Sequence, residues 1–410
     1  MRKLFVWSAF LLALCLAVPV LGQAEFQFET FDDFMAYIER IAAADASAGQ
    51  ALVDELWTYL LETDQQPFVR QHMVAFMYRG AALSVEWVGD IVGWEADYAL
   101  PGAPVGQTDL WLLTVELLPN ARIEYKIIIN GLDEWILDPA NPHVVASGLS
   151  PNSELRMPLY AVTLVTSARD EVTPGTVTDL QVFDSANMGY EIGYWVYTPV
   201  GYETLDNLPV IYFLDGNDFI DPDLGGAVPA LDNMIFDGWI DPVIAVFISA
   251  RDPNNPNRET NNRRESEFLA NDLYAAFVAE ELVPFIDQQY DTNPAARVLV
   301  GVSYGGLCAA YIGVVYPELW AGIAPLSPSL WAAPQIEMLY LEAPLLPRRY
   351  FIGHGYPDWD LVVTQDGLDL LASKGVYVMY YTTVEGHSWA TWRGMMDEML
   401  AFFFGRSLSG

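Results

Sequence analysis

Ser303 lies in Gly301-Val302-Ser303-Tyr304-Gly305, where an apolar run ends and a helical pattern begins. A serine at a sharp strand-to-helix turn holds its hydroxyl clear of the backbone, and the flanking glycines are needed because a Cβ would clash in so tight a turn. Such a hydroxyl attacks acyl carbonyls once a histidine takes its proton and a carboxylate orients that histidine. Of four histidines only His354 and His387 follow Ser303. His387, just past the last strand pattern in Glu385-Gly386-His387-Ser388-Trp389, is the expected general base, and His354 reads as a packing or pocket-lining residue. The acid is expected in Gly353-His354-Gly355-Tyr356-Pro357-Asp358-Trp359-Asp360. Asp358 and Asp360 both qualify, and Asp358 is preferred because it falls on the first turn after the strand. The backbone N–H groups of Tyr304 and of Asn217, the latter in Leu214-Asp215-Gly216-Asn217-Asp218, are the expected oxyanion donors.

Strand and helix patterns alternate around these residues. Apolar runs at 177–183, 190–197, 210–214 and 243–248, a helical pattern at 269–290, and further runs at 297–301, 349–352 and 376–381 lead to a final helix carrying Trp392, Met395, Met396, Met399, Leu400 and Phe403. This order predicts an α/β domain over 177–410, a mostly parallel, doubly wound sheet of the α/β-hydrolase type. Two amphipathic helices are expected within 25–70. Short alternating runs broken at Gly80, Gly89-Asp90, Pro101-Gly102 and Asn130-Gly131 predict a small antiparallel β-sandwich over 71–166, followed by a polar Pro-Gly linker at 167–176.

Arg2, Lys3 and the apolar run 4–21 ahead of Gly22-Gln23-Ala24 predict a secretory signal peptide over 1–24 and a secreted or periplasmic product. Its removal takes the formal charge from −35 to −37, since those residues hold two bases and no acids. So acidic a chain would repel nucleic acid and anionic membranes, and no stable membrane association is expected after cleavage. Only Cys308 remains once Cys15 is lost, so no intramolecular disulfide can form. Asp215, Asp218, Asp221 and Asp223 lack the glutamate that would close a calcium loop. No metal or cofactor is expected, and the oligomeric state is open.

Val196-Tyr197-Thr198-Pro199-Val200-Gly201-Tyr202, the run 208–216, Gly301-Val302-Ser303-Tyr304-Gly305-Gly306-Leu307 and Gly386-His387-Ser388-Trp389 resemble the Putative esterase family. That family includes enterochelin, feruloyl and acetylxylan esterases, S-formylglutathione hydrolases and mycolyltransferases. Ahead of it, Val88-Gly89-Asp90-Ile91-Val92-Gly93-Trp94, the run 125–131, Trp135 and Asp138-Pro139-Ala140-Asn141-Pro142 resemble early-set immunoglobulin-like domains related to glycogen-binding modules. The second resemblance implies that Trp94, Lys126 and Trp135 face a glycan, although Ile91-Val92 stands where those modules carry Phe-Asn. Many relatives use the domain as an accessory wall instead. The first implies a pocket lined by residues 251–268, with Arg258, Arg263, Arg264 and Glu267, and by Trp331. The competing expectation is that these arginines pair with neighbouring acids.

The function so implied is that of an exported serine carboxylic ester hydrolase acting through an acyl-enzyme on acylated saccharides or aromatic acyl esters. A siderophore trilactone esterase, an acyltransferase with the same residues, and a non-catalytic glycan-binding protein are the alternatives.

Overall fold

The computed structural model describes residues 26, 28–131, 134–148, 150–255, 261–356 and 365–406. The expected signal peptide, Arg258, Asp358 and Asp360 lie outside them. Among the described residues no helix is long and apolar enough to cross a membrane.

Two helices open the structure, Phe31–Ala43 and Ala46–Glu62. Thr30 and Asp33 close a capping box on the first, and the Asp45 carboxylate accepts two backbone N–H groups on the second. Phe34, Ile38, Ile41, Val53, Leu56 and Leu60 form the buried stripe between them and the sheet that follows.

That sheet has the strand order Phe68–Arg70, Met73–Arg79, Leu110–Glu116, Ala103–Pro104. Its second strand, Met-Val-Ala-Phe-Met-Tyr-Arg, does not alternate polar with apolar because both of its faces are covered. Ala75 and Met77 meet the helices, while Val74 and Phe76 meet a second antiparallel sheet. Val85 and Trp87 from strand Val85–Gly89, and Ile123, Tyr125 and Ile127 from strand Arg122–Ile129, complete the core between the two sheets. Side chains alternate along a strand, so Arg122, Glu124 and Lys126 share the opposite face. Charged residues there would ordinarily meet water. Arg122 and Glu124 are instead only 2% and 1% exposed, because the second half of the chain covers them.

Among the described residues the second half carries a nine-stranded sheet. Its spatial order is Thr176–Val177, Tyr190–Thr198, Ile244–Ile248, Leu208–Leu214, Thr292–Val302, Gly322–Leu326, Arg349–His354 and Tyr377–Thr382, with Gln181–Ser185 also paired to Tyr190–Thr198. From Ile244–Ile248 to Tyr377–Thr382 neighbouring strands run parallel; the others are antiparallel. Val210, Tyr212 and Leu214 belong to one apolar cluster, and Ile211 and Phe213 to another on the opposite face. Burial on both sides is why the central strands read as unbroken apolar runs.

The helix expected over 269–290 is three pieces: Asp272–Ala276, a π-helical segment Phe277–Leu282, and Val283–Gln289. Pro284 accounts for the break, since it lacks an N–H and its ring crowds the carbonyl four residues back, which a wider turn relieves. The final helix is likewise two segments, Trp389–Arg393 and Met396–Phe404. The Pro-Gly segment is held along helix Ala227–Phe236, where Asn233 donates to the Ser167 carbonyl (2.8 Å) and the Gly175 N–H donates to Asp232 (2.7 Å).

Candidate active site

Strand Thr292–Val302 ends at Ser303, whose backbone turns through φ 56°, ψ −119° into helix Tyr304–Val315. A non-glycine residue reaches such angles only where its surroundings enforce them. Here the Ser303 N–H donates to the Leu326 carbonyl (2.9 Å), and the Leu307 N–H donates to the Ser303 carbonyl (3.0 Å). Both backbone groups are thus committed, and the hydroxyl is left over the cavity, 3.2 Å from the Ser329 hydroxyl. The turn closes so tightly that a Cβ on Gly301 would lie 2.0 Å from the Gly305 carbonyl oxygen. Tyr304 is the first helical residue, so its N–H has no acceptor within the helix.

Facing this turn, Leu208–Leu214 ends at Asp215 (φ 57°), and a short helix, Gly216–Ile220, follows. The Asn217 side chain is held by Ser249, whose hydroxyl donates to Oδ1 (3.2 Å), and by its own donation to Asp218 (2.7 Å). Its backbone N–H lies in the first helical turn, where it has no acceptor within the helix. Asp215 is buried beneath Arg264, with Nε 2.8 Å from Oδ1, and Asp218 pairs with Arg251 at 2.7 Å. Burial raises the Asp215 pKa while the Arg264 charge pulls it back. Burial, with the Asp215 charge beside it, pushes Asp218 up to about 6.

His387 occupies the loop after strand Tyr377–Thr382, its ring edge-on to Trp392 at 5.2 Å. Ser303, Asn217, Arg264 and His387 line one cavity of about 450 Å³. Its other wall comes from the β-rich domain and holds Trp94, Lys126 and Trp135. The two indoles lie nearly parallel, 20° apart, with centroids 6.4 Å apart. Trp94 is held at φ 61°, its indole N–H donating to the buried Asp90 carboxylate (2.8 Å). Lys126 donates to the Ser150 hydroxyl (2.6 Å), and partial burial lowers its pKa.

Residues 185–403 match the family model described as Putative esterase, more than half of the chain. The chain belongs to the Putative esterase family. It is 31% identical over 156 residues to the uncharacterized protein YjcH of Bacillus subtilis, covering 38% of this chain and 62% of that protein. To the iron(III) enterobactin esterase of an Escherichia coli O6:H1 strain it is 24% identical over 250 residues, 55% of this chain and 60% of the other. The matches therefore span about three fifths of the length of these curated relatives. Among solved structures, the ferric enterobactin esterase of Salmonella typhimurium superposes with a TM-score of 0.63 at 20% identity, over 81% of this chain and 93% of that one. The Shigella flexneri enterobactin esterase, solved in the presence of enterobactin, gives 0.61 at 20% identity over the same shares. The fold is a mixed α/β fold of the hydrolase type, with a β-rich N-terminal domain.

In this Putative esterase family member the remaining described residues of the expected pocket, Arg263, Glu267 and Trp331, are not among those lining the cavity. Arg263 pairs with Asp252 (2.8 Å) and lies over the Tyr190 ring, 4.3 Å from its centroid. Glu267 is buried and accepts the Tyr190 hydroxyl (3.0 Å); burial pushes it up to about 7. Trp331 is 58% exposed, beside the Tyr304 ring. The three described arginines of 251–268, Arg251, Arg263 and Arg264, all have acid partners, which is the competing expectation. Arg251 and Ser329 fall in the stretches expected to face the pocket, 251–268 and 327–331, but sequence reasoning gave neither a role, and it missed Asp90 as a site residue. The available signal was the alternation Arg122-Ile123-Glu124-Tyr125-Lys126, a charged strand face that needed a partner.

Proposed function

We propose that the protein is a serine carboxylic ester hydrolase working through an acyl-enzyme. One observation carries the reading: an enforced strand-to-helix turn directs Ser303 into the cavity that His387 also lines. Ser303 Oγ attacks the ester carbonyl as His387 takes its proton. The amides of Tyr304 and Asn217 hold the oxyanion. The intermediate collapses as His387 protonates the departing alkoxide, and water, deprotonated by His387, then releases the acid. Asp358 is the preferred group to orient His387, with Asp360 the alternative.

The substrate proposed is an acylated saccharide or an aromatic acyl ester whose distal part lies on the Trp94–Trp135 wall, with Lys126 donating to its hydroxyls. Enterobactin esterases among the relatives favour a siderophore trilactone as a second reading. An acyltransferase would follow the same course with a sugar hydroxyl in place of water. Export by a cleaved signal peptide belongs to this proposal. So do the finer fold readings: an early-set immunoglobulin-like N-terminal domain, supported by two antiparallel sheets around one core, and a doubly wound sheet, supported by apolar clusters on both faces.

The test is hydrolysis of p-nitrophenyl acetate and methyl ferulate by the purified chain, with Ser303→Ala alongside. Turnover should fall by about 10⁴-fold or more in the variant. Equal turnover in both proteins would exclude Ser303 as the nucleophile.

A further inference from the structure

The loop that carries His387 is built into the β-rich domain. The Arg122 N–H donates to the Val384 carbonyl (3.0 Å), making an isolated parallel bridge between Arg122 and Glu385. The Arg122 guanidinium, buried with Glu124 (3.0 Å) and Glu154 as ion-pair partners, also donates to the Ser388 hydroxyl at 3.4 Å. The Tyr160 hydroxyl donates to the buried Glu385 carboxylate (2.7 Å). Asp90 closes the remaining side: a Cβ on Gly386 would lie 1.9 Å from its carboxyl carbon. Within the hydrolase half, a Cβ on Gly355 would lie 1.9 Å from the Glu385 carbonyl oxygen. The backbone ahead of His387 is therefore packed against Asp90 on one side and Gly355 on the other, and the residue after it is held through the Ser388 hydroxyl.

We infer that Arg122 and Tyr160 of the β-rich domain are positioning residues of the reaction, fixing the 384–388 loop so that His387 is held at the distance from Ser303 that proton transfer needs. The inference rests on His387 being the general base, and it gives the β-rich domain a part in turnover separate from any binding of substrate. Burial of Arg122 is what makes the arrangement specific. A planar guanidinium satisfies Glu124, Glu154 and Ser388 at once, which a lysine ammonium cannot reproduce. A displacement of the base by about 1 Å is enough to cost about 10²-fold in rate.

The test uses Arg122→Met, Arg122→Lys and Tyr160→Phe in the full chain, read by hydrogen–deuterium exchange and by p-nitrophenyl acetate kinetics. In Arg122→Met, exchange of a peptide spanning 383–390 should rise about tenfold while helix Tyr304–Val315 keeps its wild-type exchange. Its kcat should fall by about 10- to 100-fold with KM within about twofold, and Arg122→Lys should fall between. Tyr160→Phe, which removes a single hydroxyl, should raise the same local exchange about fivefold, and it decides the matter if Arg122→Met does not fold. Wild-type exchange at 383–390 in the folded variants would overturn the inference, as would a rise spread evenly over the whole chain. Failure of the esterase reading is distinct: it appears as an inactive wild type, while the exchange measurement still reports whether the loop depends on Arg122 and Tyr160.

Discussion

Replacing Arg264 by methionine should convert a structural ion pair into a pH-dependent defect. Asp215 is 2% exposed, and Arg264 meets it through Nε–Oδ1 at 2.8 Å and Nη2–Oδ2 at 3.1 Å while also donating to the Val302 carbonyl. Taking the cation away leaves a carboxylate buried without its partner, a change that costs about 3–5 kcal/mol. The loss falls on the charged form, so it raises the folded-state pKa of Asp215 beyond the rise that burial already gives it. The unfolded value stays near 3.9. Both folded values lie above the unfolded one, so the variant's extra deficit is absent below the wild type's folded pKa, grows as pH rises from there, and levels off once the variant's folded pKa is passed. Loss of the contacts between Arg264 and the Tyr304 and Phe268 rings (5.7 and 5.9 Å) adds a smaller, pH-independent deficit of about 1 kcal/mol. Urea denaturation of wild type and variant at pH 5 and pH 8, followed by tryptophan fluorescence, reads the difference. Adding Asp215→Asn to Arg264→Met should recover most of the pH 8 loss, since the amide needs no cation. Equal deficits at the two pH values, or a double variant no more stable than the single, would refute the argument.

Three further outcomes follow from the geometry. Trp94→Ala should raise KM for a feruloylated saccharide by about 2- to 10-fold and leave p-nitrophenyl acetate unaffected, because only the larger ester spans to the indole wall; equal effects on both would remove the wall from substrate binding. Gly301→Ala should abolish turnover or folding, since its Cβ would lie 2.0 Å from the Gly305 carbonyl oxygen, and activity within about tenfold of wild type would disprove the tightness of the turn. Burial pushes Glu267 up to about 7 against about 4.3 unfolded, so wild type should lose about 3–4 kcal/mol of stability as pH rises from 4 through 7. Glu267→Gln should flatten that slope, and parallel stability curves would count against the shift.

Local features of the chain were legible from sequence, and features made by distant segments were not. The turn at Ser303 could be read because glycine spacing and the change from apolar run to helix lie within a few residues of each other. The parallel core strands were legible because two buried faces impose continuous apolar runs. Pro284 marked the break in the 269–290 pattern, but periodicity alone carries a helix through it. The partners of Arg263 and Arg264 depend on which acids the fold brings near, and Asp215 is 49 residues from Arg264. Trp94, Lys126 and Trp135 were visible as residue types, whereas their position across from Ser303 depends on how the two halves of the chain pack.

Synthesis gives the seam between those halves a direction in time. Arg122, Glu124 and Glu154 all belong to the β-rich domain, so their buried cluster can assemble early, while its contact at Ser388 lies 266 residues from Arg122. The cluster is complete only once Glu154 is made, and at about 5–20 residues per second a ribosome needs roughly 12–47 s to go on from there to Ser388. During that interval the socket stands finished and vacant, exposing charges that water must solvate. The late-arriving loop then docks into a template that already exists, so the cavity acquires both of its walls only near the end of translation.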